Sequence, residues 1–281
     1  MTMSAASIDI NLPALPATAS ELGSGLAAAQ LTVTAFFVGF AAGQALAGPL
    51  ADRHGRRPVL LAGIGLYVLA SLACALAPGI LELLALRLLQ GLAASVGPVL
   101  GRAIVRDRFE GAEMARVLSL AMAVFVLAPI LAPSAGALIL ETASWRWIFV
   151  ALALYGGGLL LVVARGLEET LRAPDPTALR PRRIAATWRA VLGERRSRPF
   201  VAIGVLALST LVLYLVSAPA LFMTRYGLSP RGFALVFAVL GAAAAAGSLL
   251  NARLARRLRL ERTIAVGLGL GLAATLGNLG L

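Results

Sequence analysis

Lysine is absent from this chain of 281 residues, and cysteine and histidine occur once each, as Cys74 and His54. A single thiol builds no disulfide framework, and one cysteine with one histidine offers no ligand set for zinc, haem or an iron–sulfur cluster. No metal and no cofactor is therefore expected. The lack of lysine also excludes the phosphate-binding loop G-x-x-x-x-G-K-[ST] of ATP-driven pumps and kinases. Charge is scarce: 14% of residues are charged, against roughly 25% in a soluble domain. Apolar residues make up 59% of the chain, and the mean hydropathy is +0.88. Such a chain cannot hide its apolar surface in one aqueous core. Its 25 basic residues, all arginine, outnumber 13 acidic ones. Nucleic-acid binding would gather them with aromatics on one groove or face. Here they stand in short bursts between apolar runs, and no nucleic-acid partner is expected.

An α-helix needs about 20 residues to cross the ~30 Å of hydrocarbon in a bilayer. Apolar stretches of that length lie near 30 to 50, 59 to 77, 83 to 101, 117 to 139, 147 to 165, 200 to 222, 233 to 251 and 263 to 281. Residues 1 to 20 are apolar but short, and they hold Asp9, Pro13 and Pro16. Ala17, Thr18 and Ala19 mimic a signal-peptide cleavage site, yet no positive region precedes them and Asp9 interrupts the would-be apolar core. The reading is the second half of a first span. That predicts an all-α membrane protein of nine spans, the first incomplete.

The loops after spans two, four, six and eight hold 21 of the 25 arginines, from Arg53 to Arg262. The opposite loops hold only Arg146, Arg225 and Arg231. Cytoplasmic loops retain positive charge, so the first set is expected inside the cell. Residues 166–198 form the longest of these loops. Within it Ile184, Trp188, Val191 and Leu192 follow helical spacing among Arg182, Arg183, Arg189, Arg195 and Arg196. An interfacial helix on anionic lipid fits this pattern, and so does a solvated linker. Either way the chain divides into a six-span part, residues 1–165, a basic cytoplasmic linker, 166–198, and a three-span remainder, 199–281. Gly48, Asp52 and Arg57 recur in spacing as Gly247, Asn251 and Arg256. A shift of six spans preserves orientation, as in parallel repeats of two-lobed transporters.

The string GPLADRHGRRPVL, Gly48 to Leu60, resembles the loop between the second and third spans of the major facilitator superfamily, written G-x-L-a-D-r-x-G-r-[kr]. The resemblance implies a gating and packing role for Gly48, Asp52, Arg53, Gly55, Arg56 and Arg57, with glycines permitting close approach and a sharp turn. Arg87, Gln90 and Gly91 resemble that superfamily's fourth-span motif R-x-x-Q-G. A charge within a span is costly and should face a partner or a water-filled cavity; the alternative is an arginine snorkelling at the helix end.

Within the superfamily the chain resembles the Bcr/CflA branch of drug:proton antiporters. Three stretches carry this: SIDINLPALP from Ser7 to Pro16, RAIVRD from Arg102 to Asp107, and LAPILAPSAGAL from Leu127 to Leu138. The last lies on span five, where Pro129, Pro133 and Gly136 match the antiporter-type pattern although alanines replace some of its glycines. Ala128, Ala132 and Gly136 give a small-residue face that lets helices approach closely, which ordinary packing explains equally. The resemblance implies a bundle of two six-helix lobes, here an N-terminal lobe lacking the start of its first span plus three spans of the second lobe.

It further implies proton-coupled efflux of drugs or small organic solutes by alternating access in a bacterial inner membrane. The partners are then a small-molecule drug or metabolite, protons and the lipid bilayer, and the complete protein is a monomer. Asp9, Arg87 and Gln90 are placed on the proton or substrate pathway. An ionised carboxylate is expensive within a span, which makes Asp9 a candidate carrier of the coupling proton. The alternative is a capping group near the outer surface. Two other functional readings stand beside drug efflux: a carrier of a metabolite, and a truncated membrane protein that transports nothing. A membrane-embedded enzyme would show paired acidic or histidine groups at an interface. The adjacent pair Glu168 and Glu169 instead sits in Leu-Glu-Glu-Thr-Leu, which resembles the sixth-span exit of the family, so no enzyme is expected.

Overall fold

In hydrocarbon a backbone has no water to bond to, and a chain this apolar satisfies its N–H and C=O groups within helices. The computed structural model describes residues 2–254 except Arg196, together with Gly267 and Gly269. Every regular element among the described residues is helical: α1 (Thr2–Asp9), a 3-10 turn (Leu12–Ala14), α2 (Leu15–Glu21), α3 (Leu26–His54), α4 (Arg56–Ala75), α5 (Ile80–Ala94), α6 (Val96–Arg108), α7 (Gly111–Thr142), α8 (Arg146–Gly166), α9 (Pro181–Gly193), α10 (Arg198–Pro219), a π-turn (Ala220–Arg225) and α11 (Pro230–Leu254). With α5 and α6 counted as one span and α10 with its π-turn as another, seven are long and apolar enough to cross a membrane. They match expected spans two to eight. The ninth, near 263 to 281, lies outside the described residues apart from Gly267 and Gly269, as does Arg256 of the repeat.

The first span is broken where its sequence demands it. Pro13 and Pro16 each remove a backbone donor, and between α1 and α2 the chain tightens into the 3-10 turn, with Pro16 near the start of α2 where a missing N–H costs nothing. In the fourth span α5 gives way to α6 at Ser95, and Pro98 supplies no amide for the turn before it.

Residues 1–238 make one compact unit and 239–281 a second. The core of the first is set by close helix crossings. A Cβ added at Gly39 would land on the Leu88 carbonyl, one at Gly91 on the Phe36 carbonyl, and one at Gly43 on Leu92 and Ser95. These glycines let α3 and α5 touch backbone to backbone, with weak Cα–H···O contacts available at such crossings. On the other side of α4, Gly156 of α8 meets the Tyr67 ring, where an added Cβ would come within 2.9 Å. Phe36, Tyr67, Leu83, Arg87, Trp145 and Phe149 are among the large side chains fully enclosed between these helices.

Candidate functional site

Two polar clusters stand out, one inside the bundle and one at its arginine-rich end. Inside, Arg87 of α5 is fully enclosed, so it does not snorkel. Its Nη1 donates to Gln90 Oε1 at 2.5 Å, and both terminal nitrogens reach the Ser7 carbonyl at 3.4 Å. Because arginine only donates, Gln90 must turn its oxygen to Arg87 and its amide nitrogen away, and Nε2 donates to Ser71 Oγ at 2.7 Å. Ser71 passes its own proton to the Tyr67 carbonyl at 2.7 Å. Ser7 spends its hydroxyl proton on the Met3 carbonyl, so the Tyr67 hydroxyl is the donor in their 2.6 Å contact. The guanidinium carbon lies 4.6 Å from the Phe36 ring centroid and 5.6 Å from that of Phe149, within the range of cation–π attraction. Residues of five helices, α1, α3, α4, α5 and α8, thus converge on one buried cation. Its Nε finds no partner, and among the described residues no carboxylate pairs with it.

Asp9 is two residues from Ser7, at the end of α1 where the helix breaks, and only 4% exposed. Its side chain accepts no hydrogen bond and forms no ion pair among the described residues. It caps no helix end there. Beside it the buried Asn11 Oδ1 is also unpartnered. Gly136 of α7 packs on this break: a Cβ there would strike the Ile10 carbonyl, with Pro13 close by at 3.2 Å. Pro133 is buried near it and Pro129 half-buried. The small face of span five is therefore what lets a helix lie against the irregular backbone of the first span.

The second cluster is built on the turn from α3 to α4. Gly55 has φ of +100°, a backbone that only glycine adopts easily. A Cβ there would also come within 2.6 Å of Glu169 Oε2. Arg56 Nη1 holds Asp52 at 2.6 Å, and its Nε reaches Asp107 of α6 at 3.2 Å. Arg57 Nη2 closes on the Ala164 carbonyl of α8 at 2.8 Å, and Arg108 pairs with Glu168 at 3.1 Å. Glu169 accepts the backbone amides of Arg56, Arg57, Thr170 and Leu171 at 2.9 to 3.0 Å. Partial burial alone would raise the Glu169 carboxyl. The four amides outweigh it and hold the group below the usual carboxylate range. Arg53 is exposed, and Gly48 faces open space, with nothing within 4 Å of an added Cβ. Of the loop residues singled out in the sequence, Asp52, Gly55, Arg56 and Arg57 are thus brought together, whereas Gly48 and Arg53 stand apart.

Tyr67 and Ser71, which complete the inner cluster, were not singled out by sequence. Their signal is a pair of polar side chains four residues apart in an apolar helix, and it gains meaning only once Gln90 faces them. Glu169 was noted only as part of a span exit.

A bundle of long apolar helices with a broken first span, an enclosed cation and a charged turn at one end defines a polytopic membrane protein of the solute-carrier class. The sequence pattern of the Major Facilitator Superfamily matches residues 1–281, and the chain belongs to that family, which is one of transporters rather than enzymes. It is 38% identical over 254 residues to the uncharacterized MFS-type transporter YdgK of Bacillus subtilis, covering 88% of this chain and 62% of that protein. It is 33% identical over 234 residues to the multidrug resistance protein MdtL of Escherichia coli, covering 83% and 59%. The chain therefore spans about three fifths of the length of these relatives. Among solved structures, the human organic anion transporter MFSD10 superposes with a TM-score of 0.63 at 21% identity, covering 86% of this chain and 67% of that one. A D-xylose-proton symporter superposes at 0.65 and 16% identity, covering 92% and 66%. At such identities the likeness is one of fold.

Proposed function

We propose that the protein carrying these spans is a proton-coupled exporter of small organic solutes, drugs among them, in a bacterial inner membrane, with its arginine-rich end in the cytoplasm. In this reading residues 1–165 form one lobe, 166–198 the linker and 199–281 part of a second lobe, and the lobes rock about a central site. The observation that carries it is Asp9: a buried carboxylate, without a partner among the described residues, at the break of a discontinuous helix and two residues along the chain from Ser7, whose carbonyl the enclosed Arg87 reaches. Broken helices place freed backbone groups and ionisable side chains where solutes and coupling ions bind. Asp9 takes up and releases the proton. Arg87 and Gln90, locked by Ser71 and Ser7, keep the adjoining wall polar and fixed. The match to a multidrug resistance protein and the resemblance of Ser7 to Pro16 and Leu127 to Leu138 to Bcr/CflA antiporters favour drugs as cargo. A second reading, an anionic metabolite as cargo, is favoured by the free Nε of Arg87.

The test is solute-driven proton movement in everted vesicles carrying the complete reading frame. Asp9→Asn is expected to retain solute binding and lose efflux driven by the pH gradient. Wild-type efflux with full pH-gradient dependence in that variant would overturn the proton-carrier role. Reporter fusions at Arg57, Phe109 and Thr187 should report the cytoplasm, and fusions at Pro78, Ser144 and Ser229 the opposite side.

A further inference from the structure

Helix α9 has no buried residue, yet it is not a featureless connector. Ile184, Trp188, Val191 and Leu192 recur at intervals that put them on one face, and Trp188 and Leu192 are about half exposed, at 51% and 52%. Arg182 and Arg189, seven residues apart, share a flank beside that face. Both are exposed, and neither has a hydrogen bond or ion pair among the described residues. Arg183, by contrast, is tied to the Asp175 carboxylate and to the Thr177 hydroxyl.

Between α9 and the end of α3 lies an open cleft of about 280 Å³, whose walls include Ala45 and Pro49 on one side and Ile184 and Trp188 on the other. The carboxylates nearest to it are already matched, Asp52 by Arg56 and Asp175 by Arg183. Among the described residues, Arg182 and Arg189 on the flank of α9 therefore carry positive charge that neither of these carboxylates offsets. An apolar face with tryptophan, flanked by unpaired arginines and lying where spans end, is the chemistry that suits a bilayer surface bearing negative headgroups.

We propose that α9 and its cleft form a binding surface for an anionic glycerophospholipid, with acyl chains along Ile184, Trp188 and Leu192 and the phosphate on Arg182 and Arg189. The surface is wired to the charged turn. The Asp175 amide donates to the Asp52 carbonyl at 2.8 Å, while the Asp175 side chain holds Arg183 of α9. Lipid that pins α9 flat also fixes the end of α3. This site is independent of whether the protein exports anything.

The experiment is hydrogen exchange on the 281-residue chain in nanodiscs of phosphatidylcholine alone and of phosphatidylcholine mixed with phosphatidylglycerol. Amides of 181–193 and of Asp175 are expected to exchange more slowly in the anionic discs. Each arginine near an anionic surface contributes about a fivefold preference. The double variant Arg182→Gln/Arg189→Gln should thus lose on the order of 25-fold of it, while Arg182→Lys/Arg189→Lys retains it. Equal exchange of 181–193 in the two lipids, or an undiminished difference in the double glutamine variant, would overturn the lipid site. Protection of α9 without any at Asp175 would overturn its coupling to α3.

Discussion

Glu169 ties two stretches of chain with one carboxylate. It caps the start of α4 through Arg56 and Arg57 and folds the exit of α8 back through Thr170 and Leu171. An oxygen acceptor at a helix start contributes on the order of 1 kcal/mol, so Glu169→Ala should lower stability by about that amount. The pH dependence has a definite sign. The folded carboxyl titrates below its ordinary value of 4.5, so its contribution is complete above that value and is lost as pH falls through the lower, folded one. Thermal unfolding in detergent should show an acid limb in the wild type that is shallower in Glu169→Gln. An unchanged limb would show that the four amides do not depend on this charge.

At the level of elements, the glycines of α3 and α5 are the parts least tolerant of change. Gly91→Ala would push a methyl into the Phe36 carbonyl, which neither backbone can vacate without sliding, and a cost of roughly 1–3 kcal/mol is expected. Gly65→Ala on the neighbouring α4 meets nothing within 4 Å and should be neutral or mildly stabilising. A melting comparison of the two separates crowding from helix propensity. Most of this architecture was legible in the sequence, because apolar run length and arginine bursts report on the bilayer directly. So was the charged turn, whose partners Asp52, Gly55, Arg56 and Arg57 are close along the chain. The sequence did not reveal which polar side chains meet across helices. Ser71 and Gln90 are 19 residues apart, Ser7 and Tyr67 are 60 apart, and nothing in either segment alone names the other. Gly48 shows a related limit: it has no described atom within 4 Å of an added Cβ, and a glycine needed for packing and one facing open space look alike in sequence until the neighbour is placed.

Across the whole molecule, the arginine-poor end is fastened at several points. Glu141 at the end of α7 pairs with Arg231 at the start of α11 through two hydrogen bonds, and the Gln30 amide of α3 donates to the Val216 carbonyl of α10 at 2.8 Å. Arg146 holds Glu21 at 3.0 Å and donates to the carbonyls of Ala75, the last residue of α4, and Ala77 just beyond it. The Glu141–Arg231 and Gln30–Val216 contacts both tie earlier helices, α7 and α3, to later ones, α11 and α10; the ion pair is solvent-accessible, so it biases rather than locks. In a Cys74→Ala background, Glu141→Arg should raise labelling of Met223→Cys by a membrane-impermeant thiol reagent, roughly two- to fivefold. The swap Glu141→Arg/Arg231→Glu should restore the original rate. Labelling indifferent to both would mean that this end is closed by packing alone. The enclosed guanidinium of Arg87 has a consequence of another kind. A positive charge that no carboxylate among the described residues pairs with, held between apolar helices, is subject to the electric field across the membrane as well as to its neighbours. Carrying one such charge through the full potential is worth about 2.3 kcal/mol per 100 mV. Any tilt that moves even part of that field past Arg87 makes the resting pose of the bundle a function of voltage.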